Sequence, residues 1–196
     1  MTNKVNKKRI MAIVSASCFM FGVWQLGEGA WLEAKAWLAQ VLLQQAWSET
    51  LDGSQQVRPW PWADTWPVAR MQVERLGVDQ IVLADASGRS MAFGPGYIVG
   101  TGGLGSNGNS AISGHRDTHF RFLHKLVAGD QLDLTLKDGR LHSYQVTGTS
   151  VHHKDETWLL QDTSDERLTL ITCYPFDAIV PGGPMRYVVR ARKVMF

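Results

Sequence analysis

The feature that most constrains this 196-residue chain is a run of eighteen residues without a charge, residues 10–27, reading IMAIVSASCFMFGVWQLG. As a helix rising about 1.5 Å per residue it spans roughly 27 Å, close to the hydrocarbon core of a bilayer. Lys7, Lys8 and Arg9 stand immediately before it, and Glu28 is the first charge after it. The bias of positive charge toward the cytoplasm predicts a basic cytoplasmic tail over residues 1–9, a single-pass anchor over 10–27, and everything later outside. A cleaved signal peptide has a shorter apolar core and a small-x-small site. Here the segment ends on the bulky Trp24-Gln25-Leu26-Gly27, although Gly29-Ala30 leaves cleavage open. The segment therefore reads as an uncleaved signal anchor, with Cys18 as an apolar filler within it. A buried core helix is the plainer alternative, and the basic flank speaks against it.

Residues 28–67 read as a spacer. Over residues 31–47, Glu33, Gln40 and Gln44 share one helical face and Trp31, Leu38 and Leu42 the opposite one, which predicts an amphipathic helix. Such a helix lies on a membrane surface or packs on the next domain. Trp24 and Trp31 flank the outer end of the apolar span, where aromatic belts sit. Next comes Arg58-Pro59-Trp60-Pro61-Trp62-Ala63-Asp64-Thr65-Trp66-Pro67, whose three prolines forbid a regular helix and predict a stiff connector. Seven of the eight tryptophans precede residue 67, so the two parts of the chain differ in kind.

From residue 68 the pattern turns to strands. Residues 69–73 and 80–83 are short strand-like runs, and 130–136 alternates polar and apolar with period two. Lys137-Asp138-Gly139-Arg140 is a hairpin turn, because Asp-Gly tolerates the positive φ angles required. Residues 141–146, 168–172 and 187–194 complete a set of seven or eight strands with little helix. The fold class predicted is mainly β: a closed barrel with short helices over residues 68–196, preceded by a transmembrane helix and the amphipathic helix. Hydrophobic residues at 44% and charged residues at 19% exclude a disordered chain. Without Lys4, Lys7, Lys8 and Arg9, the formal charge of +2 falls to −2, so no basic stripe points to nucleic acid. Two cysteines exclude a disulfide scaffold.

Several motifs suggest chemistry, and each has a plainer reading. Gly100-Thr101-Gly102-Gly103-Leu104-Gly105 matches G-x-G-x-x-G, but Ser106-Asn107-Gly108-Asn109 follows instead of a helix. It reads as a loop and not a dinucleotide site. His115, His119, His152 and His153 could supply zinc ligands. There is no H-E-x-x-H, however, and Arg116 would be an unwelcome cation beside a metal. Neither a metal nor a cofactor is expected. Asp130, Asp133 and Asp155 read as scattered solvated acids, not as a calcium site. Cys173 ends a strand-like run; a lone cysteine is usually an inert filler. Yet His115 follows Ala111-Ile112-Ser113-Gly114 at the end of another run, and Arg186 opens the strand after Cys173. A thiol near an imidazole or cation can populate its thiolate, and acyl transfer needs a donor for the oxyanion. Cys173, His115 and Arg186 at three strand boundaries can fill those roles.

These residues resemble a sortase. Thr169-Leu170-Ile171-Thr172-Cys173 matches the family's T-L-x-T-C motif, and Ser113-Gly114-His115 matches the small-Gly-His that often carries its histidine. Arg116-Asp117-Thr118 extends this to the H-R-D-T of some classes, and Arg186 in Pro184-Met185-Arg186-Tyr187 occupies the arginine's place. The similarity covers roughly residues 68–194. With the Pro-Trp connector it further resembles the Gram-negative, often marine proteobacterial, class. The resemblance implies a cysteine transpeptidase in the bacterial inner membrane, its catalytic domain facing the periplasm or cell exterior. A protein with an L-P-x-T-G-like C-terminal signal would be attacked by Cys173, with Arg186 on the oxyanion and His115 as acid and then base. Thr172 would add a hydrogen bond near the oxyanion, and an amine of unknown identity would resolve the thioacyl enzyme. Two other readings stay open: a hydrolytic cysteine peptidase on the same fold, and an anchored β-barrel binding module without chemistry. An L,D-transpeptidase would carry its cysteine in a Ser-x-Gly-Cys loop, which Leu170-Ile171-Thr172-Cys173 does not match.

Overall fold

In a computed structural model, residues 2–180 and 182–194 are described; the side chains of residues 2–8, including the basic tail's Lys4, Lys7 and Lys8, lie outside that description. The chain divides into two units, residues 1–41 and 42–196. The N-terminal helix α1 (Thr2–Leu51) is a single helix, where the sequence suggested an anchor followed by a separate amphipathic helix. Gly27 and Gly29 do not interrupt it. A helical glycine costs about 1 kcal/mol against alanine but keeps its backbone N–H, and no proline occurs before Pro59. The helix stops where Gly53 takes φ +98°, with Gly53 N–H donating to Thr50 O.

Within the first unit the apolar side chains of α1 lie open, Phe19 at 74% and Leu26 at 76% exposure. Part of α1, within 9–51, is long and apolar enough to cross a membrane by length and composition. Within the second unit Leu43 and Trp47 form a small core with Ile81 and Leu83, against which Phe93 packs. Trp31 and Leu38, on the apolar face of the expected amphipathic helix, are 61% and 50% exposed. The buried face at this end is Leu43, Ala46, Trp47 and Thr50, at helical spacing. Trp60 of the connector meets Phe93 edge-on at 4.8 Å.

The rest of the second unit is a closed eight-stranded barrel. Its strands are β1 (Pro67–Val73), β2 (Val78–Leu83), β3 (Gly96–Tyr97), β4 (Gly108–Ser113), β5 (Gln131–Leu136), β6 (Leu141–His153), β7 (Glu166–Tyr174) and β8 (Met185–Lys193). Their order around the barrel is β1-β2-β3-β4-β7-β8-β6-β5. The β2–β3 and β4–β7 pairs are parallel and the others antiparallel. Short 3-10 helices fill the connections. In β5 Leu132, Leu134 and Leu136 point inward, as the period of two requires, and Gly139 turns the β5–β6 hairpin at φ +77°. Leu168 and Leu170 of β7 meet Val189 and Ala191 of β8 in the same core. Residues 100–105 form a loop before β4 and open no helix.

Two buried carboxylates stand out, and one of them, Asp130, departs from the sequence reading. Asp130 is buried, not solvated. It accepts from Arg75 Nε and Nη2, each at 2.6 Å, and from Val127 N at 2.8 Å. At the start of β7 the Glu166 carboxylate, also buried, accepts from Tyr144 Oη at 2.7 Å and Lys193 Nζ at 2.6 Å, and meets His142 Nδ1 at 2.8 Å. Burial pushes the Glu166 carboxyl up, but the hydrogen bonds from Lys193, Tyr144 and His142 outweigh it and hold it below the usual range. The same burial and the adjoining carboxylate push the Tyr144 phenol up.

A carboxyl with a lowered folded pKa stabilises the fold above its unfolded value, about 4.3 for Glu, and that contribution vanishes as pH falls through the folded value. Glu166→Gln should cost about 1–3 kcal/mol near neutrality by leaving buried donors unmatched. It should also flatten the fall of the melting midpoint below about pH 4.3. Thermal unfolding of both proteins across pH 3–7 checks this.

Candidate active site

The site lies where β4, β7 and β8 meet at one rim of the barrel. Parallel pairing sets Ser113 beside Ile171, and Gly114 N–H donates to Ile171 O at 3.2 Å. Continued by two residues, this register brings His115 level with Cys173. Cys173 is the direct cross-strand partner of Arg186 on β8. Three residues separated by up to 71 positions are thus gathered at adjacent strand ends. Cys173 is a free thiol, half-buried, while His115 is exposed.

Local chemistry explains the Ser-Gly-His segment. A Cβ on Gly114 would stand 2.8 Å from the Phe120 ring, which is wholly buried. Phe120 N–H in turn donates to His115 O at 2.9 Å, so the loop closes tightly over that ring. Thr172, expected near the oxyanion, alternates with Cys173 and is 2% exposed. Its hydroxyl donates to Gly114 O at 2.8 Å and so ties β7 to the segment that carries His115.

Arg186 donates from Nη1 to Gly183 O at 2.7 Å and to Met185 O at 2.9 Å. Among the described residues no carboxylate pairs with it. Tyr174, Phe176 and Tyr187 pack together beyond Cys173, with Phe176 and Tyr187 rings 5.1 Å apart, and His124 lies 5.2 Å from Phe176.

Arg116 is the residue whose part the sequence did not reveal. It is 5% exposed. Nε and Nη2 grip Asp117 at 2.7 and 2.9 Å, while Nη1 donates to Pro175 O at 2.7 Å and Nη2 to Ala178 O at 2.9 Å. One guanidinium thereby joins the loop after His115 to the turn after Cys173. Its pKa is raised, chiefly by the Asp117 hydrogen bond and also by the charges of Cys173 and Asp177, against the opposing effect of burial. Asp117 is held below the usual carboxylate range, first by Arg116. The only available signal was the arginine itself in His115-Arg116-Asp117, and nothing local marks an arginine as buried.

The other histidines are elsewhere or engaged. Burial pushes the His119 imidazole down, and the charge of His115 acts in the same direction. Both ring nitrogens of His152 are used, Nδ1 toward Glu156 at 3.0 Å and Nε2 toward Ser150 at 2.9 Å. His153 Nδ1 lies 3.1 Å from Asp155. Among the described residues no group of three or more His, Cys, Asp or Glu side chains could hold a metal ion. What the rim offers is a thiol, an exposed imidazole and a guanidinium, the set that covalent acyl transfer uses.

Removing the Gly114 contact should weaken the site before the barrel. Thr172→Val should lower stability by about 1 kcal/mol, as for one buried hydrogen bond. Arg116→Met should leave the strands intact but make residues 175–180 cleavable in limited proteolysis, since two carbonyls there lose their donor.

Comparison with known proteins identifies the relatives of this rim. The family model described as the sortase domain matches residues 71–194. Sortase D of Bacillus subtilis (strain 168) is 30% identical over 125 residues, 63% of this chain and 62% of that protein, so the match spans less than two thirds of the relative. A Clostridium perfringens sortase D5 transpeptidase superposes with TM-score 0.66 at 22% identity, over 81% of this chain and 99% of that one. Sortase A from Corynebacterium diphtheriae gives 0.62 at 25% identity, over 74% and 68%. The catalytic domain of B. anthracis SrtD gives 0.57 at 30% identity, over 66% and 88%.

Proposed function

The chain belongs to the sortase family, whose members are generally cysteine transpeptidases, and on that premise we propose that it is a membrane-anchored one. The observation that supports this reading is the pairing of Cys173 with Arg186, next to the end of β4 from which the chain runs on to His115. In the proposed reaction the Cys173 thiolate attacks the carbonyl before the scissile bond of an L-P-x-T-G-like signal. The carbonyl electrons move onto oxygen, and the Arg186 guanidinium holds that oxyanion. When the intermediate collapses, the C–N bond breaks, and His115 as imidazolium gives its proton to the leaving amine. An acceptor amine then attacks the thioacyl carbon, His115 takes its proton, and Cys173 leaves as thiolate.

The scheme requires a thiolate and an imidazolium together. Its rate is therefore bell-shaped in pH. The remaining segments fit the same picture. Residues 10–27 are the single-pass anchor behind the tail 1–9, residues 28–67 connect it, and residues 68–196 act outside the cytoplasmic membrane, in a Gram-negative cell in the periplasm. The exposed apolar side chains of α1 support the anchor.

The test is to incubate the enzyme with an L-P-x-T-G peptide and a short amine, and to follow thioacyl enzyme and ligated product by mass spectrometry. Ligation that disappears in Cys173→Ala is expected. Cleavage without ligation would favour the peptidase reading, and Cys173→Ala without effect on peptide binding or turnover would favour a binding module. His115→Ala should lower kcat/KM by at least about a hundredfold, the usual size of a lost acid–base group. His119→Ala should lower it far less. A rate flat between about pH 5 and 9 would count against the Cys173–His115 scheme.

A further inference from the structure

The segment that follows His115 helps to wall a second cavity, which none of Cys173, His115 and Arg186 lines. Its volume is about 420 Å³, within the ~300–1,000 Å³ of small-molecule sites. Gln80 of β2 borders it, with Thr118, His119, Arg121, His124 and Lys125. These walls are tied in place. Gln80 Nε2 donates to His119 O at 2.8 Å, and Arg75 Nη2 donates to Lys125 O at 2.7 Å. His124 Nδ1 donates to Arg121 O, and the intervening Phe122 packs against the barrel core.

The charge around this cavity has one sign. No carboxylate lines it. The acids nearby in sequence are held by other arginines: Asp79 by Arg70, Asp117 by Arg116 and Asp130 by Arg75. Asp117 feels the charge of Arg121, but both its oxygens are bonded to Arg116. Among the described residues Arg121 and Lys125 form no ion pair. Burial pushes the His119 imidazole down, so it adds a neutral wall and no charge near pH 7. A second observation is independent of charge. With Gln80 Nε2 committed to His119 O, Gln80 Oε1 is buried and has no hydrogen-bond partner among the described residues. Buried acceptors are normally paired, so this one calls for a donor.

We infer that this cavity binds a phosphate ester that carries a hydroxyl group, with Arg121 and Lys125 on the phosphate oxygens and the hydroxyl donating to Gln80 Oε1. Two cations without counter-ions disfavour a cationic or a purely apolar ligand. A carboxylate brings one charge and would leave one cation unmatched, whereas a phosphate brings more oxygens and up to two charges. The arginine fork matches paired phosphate oxygens, the lysine adds a point charge, and the Thr118 hydroxyl is a further donor. Glycerol phosphate is a small ester of this kind. It exists both as a soluble polyol phosphate and as the headgroup of phosphatidylglycerol, one chemistry with two sources. The site touches no reacting atom and stands independently of the sorting-signal reading.

Calorimetric titration of the full chain in a neutral detergent with sn-glycerol 3-phosphate tests this. Saturable binding at one site is expected, weakening as salt is raised. The double variant Arg121→Gln, Lys125→Gln should keep its melting midpoint but lose affinity ~3–20-fold, the size of two partly exposed charge contacts. Methyl phosphate, which lacks the hydroxyl, should bind more weakly than glycerol 3-phosphate, and Gln80→Met should erase that difference. Repeating the titration in phosphatidylcholine nanodiscs, with and without phosphatidylglycerol, separates the sources. Binding blocked by phosphatidylglycerol supports the site with the lipid headgroup as its ligand, and binding that persists supports it with the soluble ester. No saturable binding to the native chain, or equal affinity in the double variant, overturns the site. Equal affinity for the two esters overturns the Gln80 contact. Either result leaves the Cys173 reading standing.

Discussion

The parallel pairing of β4 with β7 is the constraint on which the rest of the structure depends. Parallel neighbours cannot be joined by a tight turn, and here the link from Ser113 to Glu166 carries all of β5 and β6. Because the two strands run the same way, both C-terminal ends reach the same rim, and His115 follows two residues after the last β4 pair, Ser113 with Ile171. Strand β8 returns antiparallel to β7, so its first residues lie at that rim too and bring Arg186 opposite the thiol. The barrel must then hold two loops in fixed relation. It does so with small, buried groups: the missing side chain of Gly114 over Phe120, the Thr172 hydroxyl on Gly114 O, and the Arg116 guanidinium on Pro175 O and Ala178 O.

The two ends of β7 divide the work. At Glu166 a buried carboxylate is surrounded by Tyr144, His142 and Lys193, an enclosed cluster in which every group has a partner. At Cys173, seven residues later, the thiol and imidazole are accessible and have no hydrogen-bond partner among the described residues. Satisfied polar groups make a rigid end, and unsatisfied ones leave an end free to engage a substrate.

Much of this was legible in the residues. The β5 alternation, the Asp138-Gly139 turn and the apolar run of β7 are local patterns, and local sterics and burial decide them. The apolar stretch of α1 is equally plain. The junction after Gly27 was misread because glycine lowers helix propensity without abolishing a hydrogen bond; continuity through it depends on the whole helix. The sequence did not single out Leu43 and Trp47, since which side of a helix is covered depends on Ile81 and Leu83 of β2, far along the chain.

By itself, then, the sequence determined the element types, the apolar span, the turn residues and the family, through the T-L-I-T-C and S-G-H segments, because those are short-range patterns of side-chain chemistry. Only the tertiary structure decided what each polar residue does. Arg116 and Asp130 are charged residues that sequence alone would place in water, and both are buried against partners up to 62 positions away. Thr172 differs from Cys173 in facing because adjacent strand residues point to opposite sides, and which side is core is settled only when the barrel closes. The β6–β7 connection is likewise latched to the barrel by Asn109, a contact that no spacing in the chain announces.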